Sequence, residues 1–182
     1  GVATRAAGAS PATVAHHLCN AGELDARAAV DAARSAAEAA GRQGAHSEAA
    51  DWLEHAQLWA DRVGSDRLRL ELTVERGDAL RLAGDPHEEL LFATADRALE
   101  MGEHDLLADA AFALLQLGST TESGRAHDRA VELIELVERT VADTDRRALV
   151  AAASSLAHSM TGHPDTCREQ FFAAEQLARS SD

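Results

Sequence analysis

The sequence predicts an all-α fold in which about nine helices form antiparallel pairs that stack on one another. Three observations support this prediction. The chain is rich in alanine, and no useful length of it alternates apolar and polar residues with the period of two that a strand requires. Breaks containing glycine or proline divide it into segments of about 14 to 18 residues, an ordinary length for globular helices. Finally, similar stretches recur about every forty residues.

The first helix is predicted to begin at Ser10-Pro11, because serine is a favoured cap and proline is favoured at the first helical position. Residues 1–10 are interpreted as a linker or the end of a missing upstream module, and residues 11–182 as one helical domain. Breaks between helices are predicted at 20–22, 41–44, 64–65, 84–86, 102, 118–124, 143–145 and 162–164.

Four similar segments begin at Gly44, Gly84, Gly124 and Gly162, about forty residues apart. Each glycine is expected to end one helix, and a polar residue or proline soon afterwards begins the next. In the second helix of each unit, small and apolar residues recur at i, i+4 and i+7, which places them on one stripe. The stripes are Ala49, Leu53 and Ala56; Leu91, Ala95 and Ala98; Ala130, Ile134 and Val137; and Cys167, Phe171 and Ala174. Generic amphipathic helices of regular length are the alternative interpretation.

At these residues the chain resembles the tetratricopeptide repeat family, which pairs a small residue, a large apolar residue and an alanine on the inner stripe of its second helix. The resemblance covers roughly residues 25 to 182 and implies about four repeats in a right-handed superhelix. It departs from the family in its longer period, in alanine or leucine at most aromatic positions, and in the polar loop "GSTTESG" from Gly118.

Composition excludes several functions. The chain has 17 basic residues, and all of them are arginine, so it can form neither a Walker-type phosphate site nor a lysine Schiff base. Its formal charge of −14 would repel a phosphate backbone, which argues against direct binding to nucleic acid. Cys19 and Cys167 belong to no CxxC pair, which fits a cytoplasmic protein. No apolar run approaches the length of a membrane span.

The concave face of such an array, formed by the first helix of each unit, commonly binds partners. The periodicity places a mixed set of charged residues there: Asp31, Arg34 and Glu38 in one unit, and Glu71, Asp78 and Arg81 in the next. We interpret these six as candidate partner-binding residues, with an ordinary solvated helix face as the alternative.

Aromatic residues supply two further candidates. Trp52 and Trp59 are seven residues apart on one helical stripe, and are either core residues between helices or exposed interface anchors. Phe171 and Phe172 are adjacent in the last helix, so that one of them could face outward and dock a second copy of the chain or another domain.

Several histidines and carboxylates are candidate metal ligands. His16 and Cys19 lie at i and i+3 and supply at most two ligands, whereas zinc needs two more. Glu48, Asp51 and His55 share one helix face, which could hold a metal or form a solvated edge. The histidines near the repeat turns (His46, His87, His127 and His163) are expected to lie too far apart to share an ion. We therefore expect no catalytic residue, metal or cofactor.

The segment "VAHHLCNAG", Val14 to Gly22, resembles the short helix that follows the ATPase region in large ATP-binding regulators of the LuxR type, which are related to MalT. The matching residues are Ala15, His16, His17, Leu18, Ala21 and Gly22. The resemblance implies a non-catalytic domain that binds a protein, a peptide or a small inducer and relays that binding to ATPase and DNA-binding modules elsewhere. The alternatives are a stand-alone adaptor that binds peptides in its groove and, from the enzyme class, a metal-dependent hydrolase.

Overall fold

The computed structural model describes residues 10–20, 26–115, 125–160 and 164–180, and all regular secondary structure within them is α-helical. The helices are α1 Pro11–Asn20, α2 Ala26–Arg42, α3 His46–Val63, α4 Asp66–Ala83, α5 Glu88–Met101, α6 His104–Leu115, α7 Arg125–Thr140, α8 Thr144–Met160 and α9 Pro164–Ser180. The predicted all-α fold class is confirmed for this part of the chain, and so is the expected number of helices. Nowhere in these ranges is a helix both long enough and apolar enough to traverse a bilayer.

Side-chain caps fix where three of the helices begin. The Ser10 hydroxyl accepts a hydrogen bond from the Thr13 N–H at 3.2 Å, directly before α1. Ser65 accepts from the Leu68 N–H at 3.2 Å at the start of α4, and an Asp143 carboxylate oxygen accepts from the Arg146 N–H at 3.0 Å at the start of α8. Each cap satisfies one of the backbone donors that the first turn of a helix leaves unpaired.

Glycines in the left-handed conformation end several helices, as the sequence predicts. Gly44, Gly64, Gly84 and Gly102 have φ values between 72° and 79°. After Gly84, the Asp85 N–H donates to the Leu80 carbonyl at 2.9 Å, which closes the last turn of α4. The breaks at 118–124 and 162–164, with Gly124 and Gly162, lie outside the described residues.

The chain divides into two compact units, Gly1–His87 and Glu88–Asp182. In the first unit, α2, α3 and α4 share a core in which alanines from α2 and α3 surround a few large side chains. Val30 and Leu72 are completely buried, and Leu53 is nearly so. Burial of one such side chain contributes about 1.5–3 kcal/mol. Small residues allow close approach of the helices, so the core depends on few large groups.

The second unit contains α5 to α9, and α6 contacts α5, α7 and α8. Its completely buried large side chains include Leu91, Leu107 and Val137. Two arginines cross between helices: Arg146 of α8 donates to Asp109 of α6 at 2.9 Å, and Arg129 of α7 pairs with Asp96 of α5.

The apolar stripes predicted for the second helices are buried in α3 and α5, and Ile134 and Val137 are buried in α7. The Ala130 side chain lies outside the described part. The stripe in α9 differs, because its residue Phe171 is 58% exposed. The adjacent Phe172, which is not part of the stripe, is 53% exposed. The two rings contact each other edge to face, with centroids 6.1 Å apart. The physical reason is that α9 packs mainly on α8, which covers one of its sides.

Candidate functional site

A cleft of about 550 Å³ opens between α2, α3 and α4 in the first unit. Its apolar lining consists of Ala37, Gly41, Ala49, Leu53, Ala79 and Leu82, and its polar lining of Arg34, Glu38, His46, Glu75 and Asp78. The volume lies within the range of about 300–1,000 Å³ that is typical of small-molecule sites.

Helical spacing explains why these residues share one cleft. Along α2 the lining residues Arg34, Glu38 and Gly41 stand at i, i+4 and i+7, and along α4 the residues Glu75, Asp78 and Leu82 stand at i, i+3 and i+7. Residues at these intervals occupy one face of a helix. Because most side chains of the apolar lining are alanine, the three helices leave space between them that larger residues would fill.

An ion pair between Arg34 and Glu75 connects α2 with α4 at the cleft. Arg34 Nε donates to Glu75 Oε2 at 3.0 Å, and its Nη2 atom bonds the other carboxylate oxygen. This two-pronged arrangement is the geometry in which arginine holds a carboxylate best. Arg34 Nη1 also lies 3.9 Å from a Glu71 carboxylate oxygen. The Arg34 guanidinium therefore interacts with two carboxylates of α4.

The pKa values of Arg34 and Glu75 are both raised, for different physical reasons. Hydrogen bonding to Glu75 raises the pKa of the Arg34 guanidinium, with Coulombic support from Glu71 and Glu38. Burial raises the pKa of Glu75 above its ordinary value; Arg34 opposes that change, and the negative charges of Glu71 and Glu38 add to it. Burial is therefore the main cause of the shift at Glu75, and the neighbouring carboxylates increase it.

The six residues predicted to face a groove separate into two groups. Arg34, Glu38 and Asp78 line the cleft. The other three are not lining residues, and each forms an ion pair: Asp31 is 3.6 Å from Arg27, Glu71 is 3.1 Å from Arg67, and Arg81 is 2.8 Å from Asp78.

Sequence reasoning missed Glu75, which is the acidic partner of the central ion pair. Glu75 is four residues after Glu71 and three before Asp78, so the i, i+4, i+7 pattern already applied to neighbouring helices would have identified it. His46 is a second residue that the sequence does not identify as part of a site: its position predicts only a residue near a turn, whereas the structure places it in the cleft lining.

The two tryptophans occupy different environments. Trp59 is 8% exposed within the core of the first unit, and the Arg62 guanidinium lies 4.3 Å from the centroid of its ring. Trp52 is half-buried against the same core, and its indole N–H donates to Glu48 at 3.4 Å. Trp59 is thus a residue between helices, while Trp52 has one face at the surface.

The residues weighed as metal ligands have other contacts where they are described. The His55 Nδ1–H donates to the Asp51 carbonyl at 2.9 Å, and the His87 Nδ1–H donates to the Asp85 carbonyl at 2.7 Å. His16 is exposed on α1. Within the described ranges, no three His, Cys, Asp or Glu side chains are grouped to hold an ion. His163 lies outside those ranges, and the side chains of His17, Cys19 and His127 are not among those that the structure describes.

The chain was also compared with known proteins. Neither the models of protein families, nor the curated proteins, nor the solved structures contain a match to it. The chemistry of the cleft between α2, α3 and α4 is therefore the basis on which a function can be proposed.

Proposed function

We propose that this chain is a non-catalytic binding domain of a larger bacterial regulator, with a tetratricopeptide-like stack of helix pairs, and that its cleft receives a partner or an inducer. The observation that carries the proposal is the cleft between α2, α3 and α4. Three of the charged residues expected on a binding face, Arg34, Glu38 and Asp78, line it.

The polar groups of the cleft suit binding better than catalysis. Glu75 is held by Arg34, and Asp78 accepts hydrogen bonds from Arg81 at 2.8 and 3.0 Å. A carboxylate whose oxygen is engaged by a guanidinium is fixed in orientation and has fewer lone pairs available for proton transfer, which suits an electrostatic contact with a ligand. We infer that these ion pairs hold the cleft in shape for a ligand.

The regulatory role rests on the resemblance of the segment from Val14 to Gly22 to the helix that follows the ATPase of LuxR-type regulators. In such a protein, occupation of the cleft would be relayed to ATPase and DNA-binding modules outside these residues. The complete reading frame tests this directly. It is expected to encode a lysine-bearing phosphate loop upstream and a helix-turn-helix downstream, and the absence of both would refute the regulator assignment.

Involvement of the cleft is tested in the full-length gene product by Glu38→Arg. Glu38 is 66% exposed, so its reversal should leave the fold intact. The expected result is a change of about fivefold or more in effector-stimulated ATPase or reporter output. Glu138→Arg is the matched control, because Glu138 is an exposed glutamate on α7 outside the cleft. Equal responses of both variants would contradict a role for the cleft.

A stand-alone adaptor is the second candidate. Leu82, at the cleft, is 48% exposed and would offer a bound peptide one apolar contact beside the charged lining. The same reading frame separates the two candidates, since an adaptor requires neither a phosphate loop nor a helix-turn-helix.

A further inference from the structure

We propose that the ligand of the cleft between α2, α3 and α4 is a small organic cation, an ammonium or guanidinium group carried on an apolar body. This inference rests on the proposed function, because it specifies the chemistry of the inducer that the cleft would receive. It follows from the size of the cleft, from its lining and from the balance of its charges.

The size of the cleft sets the class of molecule. A volume of about 550 Å³ accommodates a compact ligand. Ala49, Leu53 and Ala79 are less than a tenth exposed and offer methyl groups to it, while Leu82 at the edge is half-exposed. Contact with these groups removes apolar surface of the ligand from water, which favours binding. The ligand is therefore expected to carry an apolar body.

The balance of charges sets the sign of its polar group. The lining holds three carboxylates, Glu38, Glu75 and Asp78, and one arginine, Arg34. Arg34 is already engaged by both oxygens of Glu75. Arg81 compensates Asp78 from beside the cleft. Glu38 has only a loose pairing with Arg42 at 3.7 Å, and both side chains are about two-thirds exposed. Such a surface pair contributes little and is easily exchanged for another cation.

Glu38 of α2 and Glu75 of α4 therefore supply negative charge from two helices that border the same cleft. The negative charge of Glu38 already disfavours the ionised form of Glu75. A cation bound near both carboxylates would relieve that repulsion and would satisfy oxygen atoms of Glu38 that otherwise face water. An anionic ligand would increase the repulsion, and a neutral ligand would leave it unchanged. Charge complementarity thus selects a cation.

Three probes of similar size and shape test this selection: phenethylammonium, phenethyl alcohol and phenylpropionate. We expect calorimetry on the purified chain at low salt to show that the ammonium binds at least tenfold more tightly than the alcohol, and that the carboxylate does not bind. Equal affinities for ammonium and alcohol would overturn the proposal, since the charge would then play no part. Tighter binding of the carboxylate would overturn it as well.

Two variants locate the site, each with a matched control. Glu38→Gln removes one carboxylate and should weaken binding of phenethylammonium about tenfold, whereas Glu138→Gln on α7 should not change it. Leu82→Ala trims the apolar edge and should weaken binding severalfold, whereas Leu58→Ala, which removes an exposed leucine of α3 outside the cleft lining, should not. All four residues are exposed, so the variants should fold. Equal effects of a variant and its control would place the binding elsewhere and refute the site.

The ligand class and the proposed function can fail separately. If no probe binds while Glu38→Arg still changes the output of the full-length protein, the proposal of a cationic ligand is refuted and the proposal of a binding domain is retained. If phenethylammonium binds as expected while the reading frame lacks ATPase and DNA-binding modules, the proposal of a cationic ligand is retained and the assignment as part of a regulator is refuted. Binding of an arginine-containing peptide without binding of phenethylammonium would identify the cleft as a peptide site and overturn the proposal that its ligand is a small organic cation.

Discussion

At the scale of single residues, Glu75 is subject to three effects: it is largely buried, it is bonded to the Arg34 guanidinium, and it is repelled by the carboxylates of Glu71 and Glu38. Arg34 stabilises its ionised form through two hydrogen bonds, while burial, Glu71 and Glu38 oppose ionisation. The pKa of Glu75 is raised because the opposing effects dominate. Its protonation state therefore couples to the stability of the first unit.

The pH dependence of stability should reveal this coupling. A carboxyl group whose pKa is raised by folding contributes stability at low pH and loses that contribution as pH rises from 4.5, its ordinary value, through the raised pKa. Glu75→Gln cannot ionise. The free energy of unfolding of this variant, relative to the unsubstituted chain, should therefore increase as pH rises through this window. Urea unfolding at several pH values measures the difference.

Glu138→Gln is the control for this measurement, because it also replaces a glutamate but lies on the exposed surface of α7. Its difference from the unsubstituted chain should stay nearly constant over the same pH range. A Glu75→Gln difference that stays constant, or that decreases as pH rises, would contradict the assigned direction of the shift.

Half of the charged residues that the sequence predicts for the groove are found in the lining of the cleft. The same helical periodicity also identifies Glu75 as a residue of this face. The pairings of these residues were not predictable, because a face of a helix can be read from periodicity whereas a contact between two helices depends on their packing. Arg34 and Glu75 are 41 positions apart, and nothing in either local sequence identifies the other. The cleft itself results from this packing and from the small volume of alanine.

At the scale of helices, caps and left-handed glycines set the boundaries. Breaks were predicted at 41–44, 64–65, 84–86 and 102, and the structure has helix ends at each of them. These boundaries were predictable because the signals are local: a hydroxyl reaches the backbone three residues ahead, and glycine tolerates positive φ. The exposure of Phe171 is harder to predict from the sequence, because it depends on whether another element covers α9.

The cap at Ser65 should make a measurable contribution to stability. Ser65→Ala removes the acceptor of the Leu68 N–H and should lower the free energy of unfolding by about 1 kcal/mol. Ser65→Asp keeps an acceptor in the same position and should retain most of the stability. Thermal or urea unfolding of both variants measures the difference, and equal losses in the two would show that the cap is not the cause.

Two glycines should respond to alanine in opposite directions. Gly84 has φ +79°, where a Cβ atom is strained even though the space around it is open, so Gly84→Ala should destabilise the chain by about 1–2 kcal/mol. Gly41 lies in the last turn of α2 with ordinary φ and open space, so Gly41→Ala should stabilise it by up to about 1 kcal/mol. Urea unfolding checks both, and a shared sign would refute the conformational explanation.

At the scale of the whole molecule, net charge is the dominant feature. The formal charge of −14 produces self-repulsion that favours expanded states. Exposed ion pairs such as Arg97–Glu100 and Arg179–Glu175 offset it only weakly, because water screens them. This property follows from composition alone and needed no structure.

Added salt should therefore stabilise the chain. Raising ionic strength from about 0.01 M to about 0.15 M shortens the screening length from about 30 Å to about 8 Å. We expect the midpoint of thermal unfolding to increase by about 2–4 °C, which corresponds to about 1 kcal/mol for a chain of this size. Sodium chloride and potassium chloride should act equally. A decrease in the midpoint would indicate that ion pairs outweigh repulsion.

The ion pair between Arg34 and Glu75 has a consequence for insertions and deletions. Each residue added to a helix rotates everything beyond it by about 100°. A single codon inserted in α4 before Glu75 would turn that carboxylate away from Arg34, and Asp78 and Leu82 with it. About seven codons, close to two helical turns, would restore the direction of these side chains but would displace them by about 10 Å along the helix. Length changes that preserve the cleft are therefore expected only in the segments between helices.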